Sequence, residues 1–422
     1  MSALDPASRA PSSSSRRGRP LLFSNALDAA GRQGMDFATD VLAVVLLGAS
    51  AAQMGLLNAV GALAFLVLGI PIGVLVDRSP TVRLLAGSGL ARAALLATLV
   101  AAWALDGLTM IHLYVLAGLI GITTVVTETT QTAIAPRVAG RDAVAGLVAR
   151  MQSAESVVGL VVPALAGIAV AAIGAGPTLS LAAVVTVLAA LVALRLRVGP
   201  PAGQPEEGVT PSGTGALATL LVEAKEGWSV LRANTTLWRL TLASMLVNLG
   251  LAAHSAIEVV LVLRTLGLGT QTLGLLISLG AMGALVGSVV AVPLVEEFRV
   301  EWVLRASMLL LAPIAALTLL ALFDTSRATW WLSASAFLWG VSIVVYNVVI
   351  AGLTAELTPT RLMGRVFATR RTLAMGVIPG GSLAGGLIAD QLGMAYAVLI
   401  WIVLNASAAL LVVLAPTETA TP

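Results

Sequence analysis

Hydrophobic runs of about 20 residues, the length an α-helix needs to cross the hydrocarbon core of a bilayer, recur twelve times along this chain of 422 residues. The first half gives Leu21 to Leu47, Met54 to Val76, Leu84 to Leu105, Met110 to Ala135, Val144 to Ile173 and Pro177 to Leu196. The second half gives Leu237 to Leu263, Thr272 to Val295, Val303 to Phe323, Thr329 to Leu353, Val366 to Ala389 and Met394 to Leu414. Composition agrees: 58% of residues are hydrophobic and 11% charged, against roughly 25% charged in a soluble domain. The pattern predicts an all-α membrane protein of twelve transmembrane helices.

Charge placement sets the expected topology. Lys and Arg are scattered singly between the runs rather than forming one stripe, so the net charge of +3 does not mark a nucleic-acid binder. Arg78, Arg83, Arg137, Arg141, Arg195, Arg197, Lys225, Arg299, Arg361 and Arg365 fall on alternate connections, which the positive-inside rule assigns to the cytoplasm, together with both termini. Arginine outnumbers lysine 23 to 1, a bias that suggests a GC-rich bacterial source and hence a bacterial cytoplasmic membrane. Cysteine is absent, which excludes disulfides and thiolate metal sites.

Five segments are expected. Residues 1–20, rich in Ser, Pro and Arg, read as a disordered cytosolic tail that is not a cleaved signal. Residues 21–197 form a first six-helix bundle and 237–415 a second. Between them, 198–236 form a cytoplasmic linker that contains an amphipathic surface helix, since Leu217, Leu220, Leu221, Ala224, Trp228 and Leu231 repeat at helical spacing. Residues 416–422 are a short tail.

The two bundles repeat each other. Shifted by 219 residues, Gln53 to Asp77 superimposes on Thr272 to Glu296 with 9 of 25 positions identical, among them Gly55 on Gly274 and Gly61 on Gly280. The same shift pairs Gly167 with Gly386 and Gly174 with Gly393. Duplicated halves suit a transporter whose bundles rock about a midplane site.

The loop after the second run reads Gly73-Val74-Leu75-Val76-Asp77-Arg78-Ser79-Pro80-Thr81-Val82-Arg83. It resembles the Gly-x-x-x-Asp-Arg signature of the major facilitator superfamily at Gly73, Asp77, Arg78 and Arg83, while that signature's central Gly and adjoining basic pair are missing. The resemblance covers nearly the whole chain after the tail and implies the two-bundle fold. It also implies that Asp77 and Arg78 form a charge lock at the cytoplasmic gate, with Glu296 as the repeat partner of Asp77; a plain stop-transfer charge cluster is the alternative. More narrowly, Glu223 to Trp228, Pro359, Gly364-Arg365-Val366, Pro379-Gly380-Gly381 and Gly385 to Asp390 look like the branch of enterobactin and macrolide exporters. Of the antiporter motif only Pro163 and Gly167 fit. Export is what that branch implies.

Ionisable residues inside the runs are the candidate site, since each costs about 2.5–3.5 kcal/mol at mid-bilayer and must face protein or a wet cavity. Asp28, Arg32, Asp36 and Asp40 recur every four residues on the first helix, and His254 and Glu258 are four apart on the seventh. Under the repeat, His254 and Glu258 fall on Met35 and Thr39, beside Asp36 and Asp40. Asp36, Asp40 and Glu258 are therefore expected around the translocation path, at least one carrying a proton with His254 tuning it; a static network in which Arg32 neutralises Asp28 and Asp36 is the alternative. Arg92, Glu128 and Arg150 lie at a depth similar to that of Asp28 and are expected to form either simple pairs or an inner cluster that rearranges during gating, and Glu155 has no partner legible in sequence. Six carboxylates against three arginines favour a cationic or neutral amphipathic cargo.

The expected function is secondary active transport, proton-coupled efflux of a small amphipathic molecule by a monomer in the bilayer, with import or lipid transport on the same fold as alternatives. No cofactor or metal is expected. There is no Gly-x-x-x-x-Gly-Lys-Ser/Thr phosphate loop for ATP, and neither a His-Glu-x-x-His nor a Gly-x-Ser-x-Gly motif for an intramembrane enzyme.

Overall fold

A computed structural model describes residues 13–140, 143–196 and 225–414, without the side chains of 13–17, Ile70, Val74 and Asp77. The expected tail (1–12), Arg141, most of the linker (197–224, including Arg197) and the C-terminal tail lie outside the described residues. Those described are helical throughout, with no strand.

The first bundle comprises α1 (Ser13–Val41), α2 (Ala51–Arg78), α3 (Thr81–Ala104), α4 (Met110–Ala139), α5 (Val144–Ile173) and α6 (Ala175–Leu194). A short helix α7 spans 225–233. The second bundle comprises α8 (Thr235–Val260), α9 (Gly269–Glu297), α10 (Val300–Phe323), α11 (Ala328–Glu356), α12 (Met363–Gly376), α13 (Ile378–Gln391) and α14 (Met394–Val413). Eleven stretches among the described residues are long and apolar enough to cross a membrane, α12 and α13 together making one of them. The twelfth expected span, α1, is long enough at 29 residues, but its charges Asp28, Arg32, Asp36 and Asp40 keep it below that apolar standard. The α12–α13 break corrects the expectation of one continuous helix: Pro379, in the first turn of α13, has no N–H to donate back across the joint. At the other end, α1 starts at Ser13 rather than Leu21. It runs unbroken through Pro20, which forfeits a single hydrogen bond, and Leu21 is fully buried.

The repeat is written into the backbone. Shifted by 219 residues, α3 becomes α10 and α6 becomes α14, residue for residue, and α5 becomes α12 plus α13 to within one residue. Both α1 and α8 end in a five-residue π-turn, Leu42–Leu46 and Leu261–Thr265, which the shift superimposes. Gly48 and Gly267 follow with φ +63° each, and Gly174 and Gly393 open α6 and α14 at φ +90° and +106°, a region where a side chain is strained. Packing repeats as well: α1 lies on α5 and α6 as α8 lies on α13 and α14, and α2 lies on α4 as α9 lies on α11.

The bundles meet along two equivalent seams, α2 on α13 and α5 on α9. The glycines that match under the repeat are the contact points. A side chain at Gly55 would collide with the Ser382 carbonyl and come within 3.4 Å of Gly386, and one at Gly274 would collide with the Pro163 carbonyl and come within 3.2 Å of Gly167. Small residues let helix backbones approach closely where lipid offers no hydrophobic drive to association. Outward faces stay apolar, with Leu165, Leu181, Val289, Leu310 and Leu410 half exposed or more, as lipid contact requires.

Both seams sit toward one end of the molecule, the end of the α1–α2 and α8–α9 loops, here termed the latched end. The opposite end, which carries Arg78, Arg83 and Arg137, is termed the basic end. Helix α7 docks at the basic end on the second bundle. The Arg365 carbonyl lies against Gly227, Leu231 is fully buried with Leu237 and Val366, and Arg232 sits over the Trp228 and Trp238 rings at 5.8 and 4.8 Å.

Overpacking a seam glycine costs about 1–3 kcal/mol. Gly55→Val and Gly274→Val are each expected to open the latched end, raising maleimide labelling of a single cysteine placed at Met54, which is buried beside the α2 seam; the chain's lack of native cysteine makes this readout free of background. Unchanged labelling in both variants would contradict the seam assignment.

Candidate translocation site

Between the bundles, just below the seams, lies a cavity of about 700 Å³. Helix α1 contributes Arg32, Asp36, Thr39 and Asp40 to its lining, and α8 contributes Asn248, Ser255 and Glu258. The four-residue spacing turns these groups of α1 to one face, and the pseudo-symmetry of α1 and α8 brings the second face opposite the first. Asp40 lies within electrostatic reach of both Asp36 and Glu258. The rest of the wall is mostly apolar, with Leu57, Phe65, Leu99, Leu113 and Ile277. The space combines acidic groups with greasy walls and runs toward the basic end, where the bundles part.

The remaining sequence candidates are placed differently. Asp28 does not line the cavity. Its Oδ1 accepts from Arg92 Nη1 at 2.6 Å, with Arg92 fully buried, while Arg92 Nε and Nη2 donate to Thr123 and Thr127 at 3.2 Å each. Arg32 bonds Glu128 at 2.6 Å, and the bonded partner of Asp28 is Arg92 because α3 and α4 close over α1 at this level. The expected inner cluster thus splits into two pairs, Asp28–Arg92 and Arg32–Glu128, and Arg150 stands exposed, outside both. Glu155 has a partner after all, Asn25 Nδ2 at 2.7 Å, and the same amide reaches Gln131 Oε1 at 3.0 Å. His254 faces away from the central cavity into a side chamber of the second bundle that Glu258 also lines.

At the basic end, Arg78 and Arg83 are exposed, and among the described residues no ion pair joins them to a carboxylate. The Asp77 side chain lies outside the described set, while Gly73 lies within α2 with open space around it. Closer to the cavity, midway along α2, Arg371 of α12 lies over the Phe65 ring at 5.9 Å, a contact between the bundles.

Two features escaped the sequence reading. The first is a latch. Asp390 of α13 accepts from the backbone N–H groups of Ala51 and Ala52 at 3.0 Å each, capping α2 of the other bundle, and Arg264 donates to the carbonyls of Val44 and Ala49 at 3.2 and 2.8 Å. Each charge satisfies helix-end groups that have no partner inside their own helix. The signal was an acid at the end of a span opposite a helix start, visible only once α13 and α2 are known to touch. The second is Arg370, which falls in the expected run Val366 to Ala389 but is not counted among the ionisable candidates; on α12 it donates to Thr354 at 2.8 Å and Ser244 at 3.0 Å, and Ser244 bonds Tyr346 at 2.8 Å. Among the described residues, no group of three or more Asp, Glu or His is disposed to hold a metal ion.

Two matched bundles, a cavity between them and a latch at one end are the architecture of an alternating-access transporter, and the profile of the Major Facilitator Superfamily matches residues 21–372. The chain belongs to that superfamily. It is an integral membrane transporter that crosses the bilayer many times. Major facilitator structures resemble it over nearly their full length. A bacterial homologue of the human lysosomal transporter Spinster, inward-facing and unoccupied, is 16% identical with 96% of this chain and 97% of that chain covered, at a TM-score of 0.70. The nucleoside transporter NupG is 14% identical with 94% and 97% covered, at 0.70. A bacterial homologue of the iron transporter ferroportin, inward-facing, is 16% identical with 94% and 98% covered, at 0.70. At these identities the likeness speaks for the fold alone. No curated protein matches the chain in sequence.

Two outcomes are expected for this major facilitator protein. Removing one partner of a buried ion pair costs about 3–5 kcal/mol, so Arg92→Met should lower the melting temperature in detergent sharply, and adding Asp28→Asn should recover part of the loss. Loss of the cap in Asp390→Ala should cost about 1 kcal/mol and raise latched-end labelling at Met54→Cys roughly fivefold; labelling equal to the parent would show that the latch does not hold that end.

Proposed function

We propose that the chain is a proton-coupled exporter of a small amphipathic molecule bearing a positive charge, working by alternating access in a bacterial cytoplasmic membrane with both termini inside. One observation carries this reading: Asp36, Asp40 and Glu258, drawn from both bundles, line one cavity with apolar walls whose single basic residue, Arg32, is engaged by Glu128. Carboxylates held inside a membrane protein are where proton relays and ion pathways lie, and their placement on α1 and α8 lets a proton and a cargo compete for the same charge. A cation attracts such a cavity's acids, and the leucine and phenylalanine walls accept its hydrocarbon part. Export and the branch of enterobactin and macrolide exporters rest on the sequence resemblance at Glu223 to Trp228 and Gly385 to Asp390, and the inside placement of the termini rests on the basic end.

Purified protein in liposomes with an imposed pH gradient tests the proposal. Accumulation of lipophilic amines is expected to follow the gradient and to fall at least about tenfold in one or more of Asp36→Asn, Asp40→Asn and Glu258→Gln, while downhill exchange survives. If cargo moves and its accumulation is the same in all three variants, protons are not coupled through these groups.

A further inference from the structure

Beside the central cavity, the second bundle encloses a smaller chamber of about 170 Å³ between α8, α9, α10, α11 and α14. Leu251, Glu258 and Ile277 line both spaces, so the two adjoin at Glu258. Among the described residues no Lys or Arg lines the chamber. Its inner wall is aromatic: the His254 ring stacks on Trp401 at 4.0 Å and 10°, and Trp339 leans on Trp401 at 4.8 Å and 50°. Two hydroxyls in the lining are already engaged, Thr318 with Ser335 at 3.1 Å and Ser335 with the Ile314 carbonyl at 3.0 Å. The Nδ1 atom of His254 is buried and makes no hydrogen bond, whereas the large majority of buried polar side-chain atoms have a partner.

The chemistry of this lining selects its guest. An anion would meet the Glu258 carboxylate with no cation to offset it. A plain hydrocarbon would leave that carboxylate and the His254 nitrogen unmatched. An alkylammonium group answers the acid and the aromatic wall together, with its charge against Glu258, its carbon surface on the indoles, and the attraction of a cation for aromatic faces added. The chamber has about a quarter of the central cavity's volume, room for a head group rather than a whole cargo.

We propose that the chamber is a subsite for the alkylammonium head of the cargo, entered past Glu258 while the rest of the molecule stays in the central cavity. This rests on the transport reading above and deepens it by assigning the cationic part of the cargo to Glu258, Trp339 and the His254–Trp401 stack rather than to Asp36 and Asp40.

Tetramethylammonium, titrated calorimetrically into the purified full-length protein with indole fluorescence followed in parallel, separates the possibilities. Saturable binding is expected. Glu258→Gln should weaken it at least about tenfold, and Trp339→Leu should weaken it several-fold, whereas Asp106→Asn, an exposed acid of the α3–α4 loop that lines neither space, should keep it within about threefold. Trp339→Phe keeps an aromatic face and should retain most of the affinity, which distinguishes loss of the cation surface from a packing defect. Absence of saturable binding overturns the proposal, as does binding that survives both Glu258→Gln and Trp339→Leu. In either case the transport reading stands or falls separately on the liposome flux, which needs no tetramethylammonium.

Discussion

A charge inside a bilayer has to be matched by another charge, by a cluster of polar groups or by water, and in this protein that requirement organises the interior. Arg92 is fully buried yet tolerable because Asp28, Thr123 and Thr127 take up its donors. Arg370 has hydroxyls in place of an acid. Asp36, Asp40 and Glu258 have no cation bonded to them among the described residues, and they are the groups that line an open space between the bundles. The interior therefore sorts its ionisable side chains into those closed by protein and those left facing the cavity, and the second group is where cargo and protons would be handled.

That sorting depends on how the halves meet. The seams are glycine-lined and close at the latched end, which brings α1 and α8 near enough for their acidic faces to share one cavity. Below the seams the bundles diverge, and Arg78 and Arg83 stand free of any carboxylate among the described residues. The duplicated π-turns and positive-φ glycines show that each bundle builds its contribution to the closed end with the same backbone devices.

Most of the architecture could be read from residues alone. Apolar run length located the spans, and the glycine matches at Gly55, Gly167, Gly274 and Gly386 marked the repeat because steric limits on close helix approach act locally and leave a fixed residue type behind. Placement of Asp36, Asp40 and Glu258 on one cavity also follows from helical spacing plus pseudo-symmetry. Pairing was harder. Spacing along α1 made Arg32 the natural partner of Asp28, but the choice between Arg32 and Arg92 is decided by which neighbouring helix covers that level, a tertiary fact. Asp390 looked like the last residue of a span, and nothing in its own segment says that it caps a helix 339 positions away. His254 turned away from the path because stacking on Trp401, a residue of α14, fixes its ring.

The two seams are duplicates in backbone but not in chemistry. Where the α2–α13 seam has Asp390 on the amides of Ala51 and Ala52, the matching position across the α5–α9 seam is Ala171, and that side is joined by neutral contacts, Thr270 to the Gly167 carbonyl at 3.2 Å and the Ala164 amide to Ser278 at 3.1 Å. One side of the closure is thus fastened by a charge and the other by hydroxyls. Strain that pries the halves apart meets unequal resistance, so the molecule parts as a door does, turning on its stiffer edge, and not as two identical leaves drawn back together.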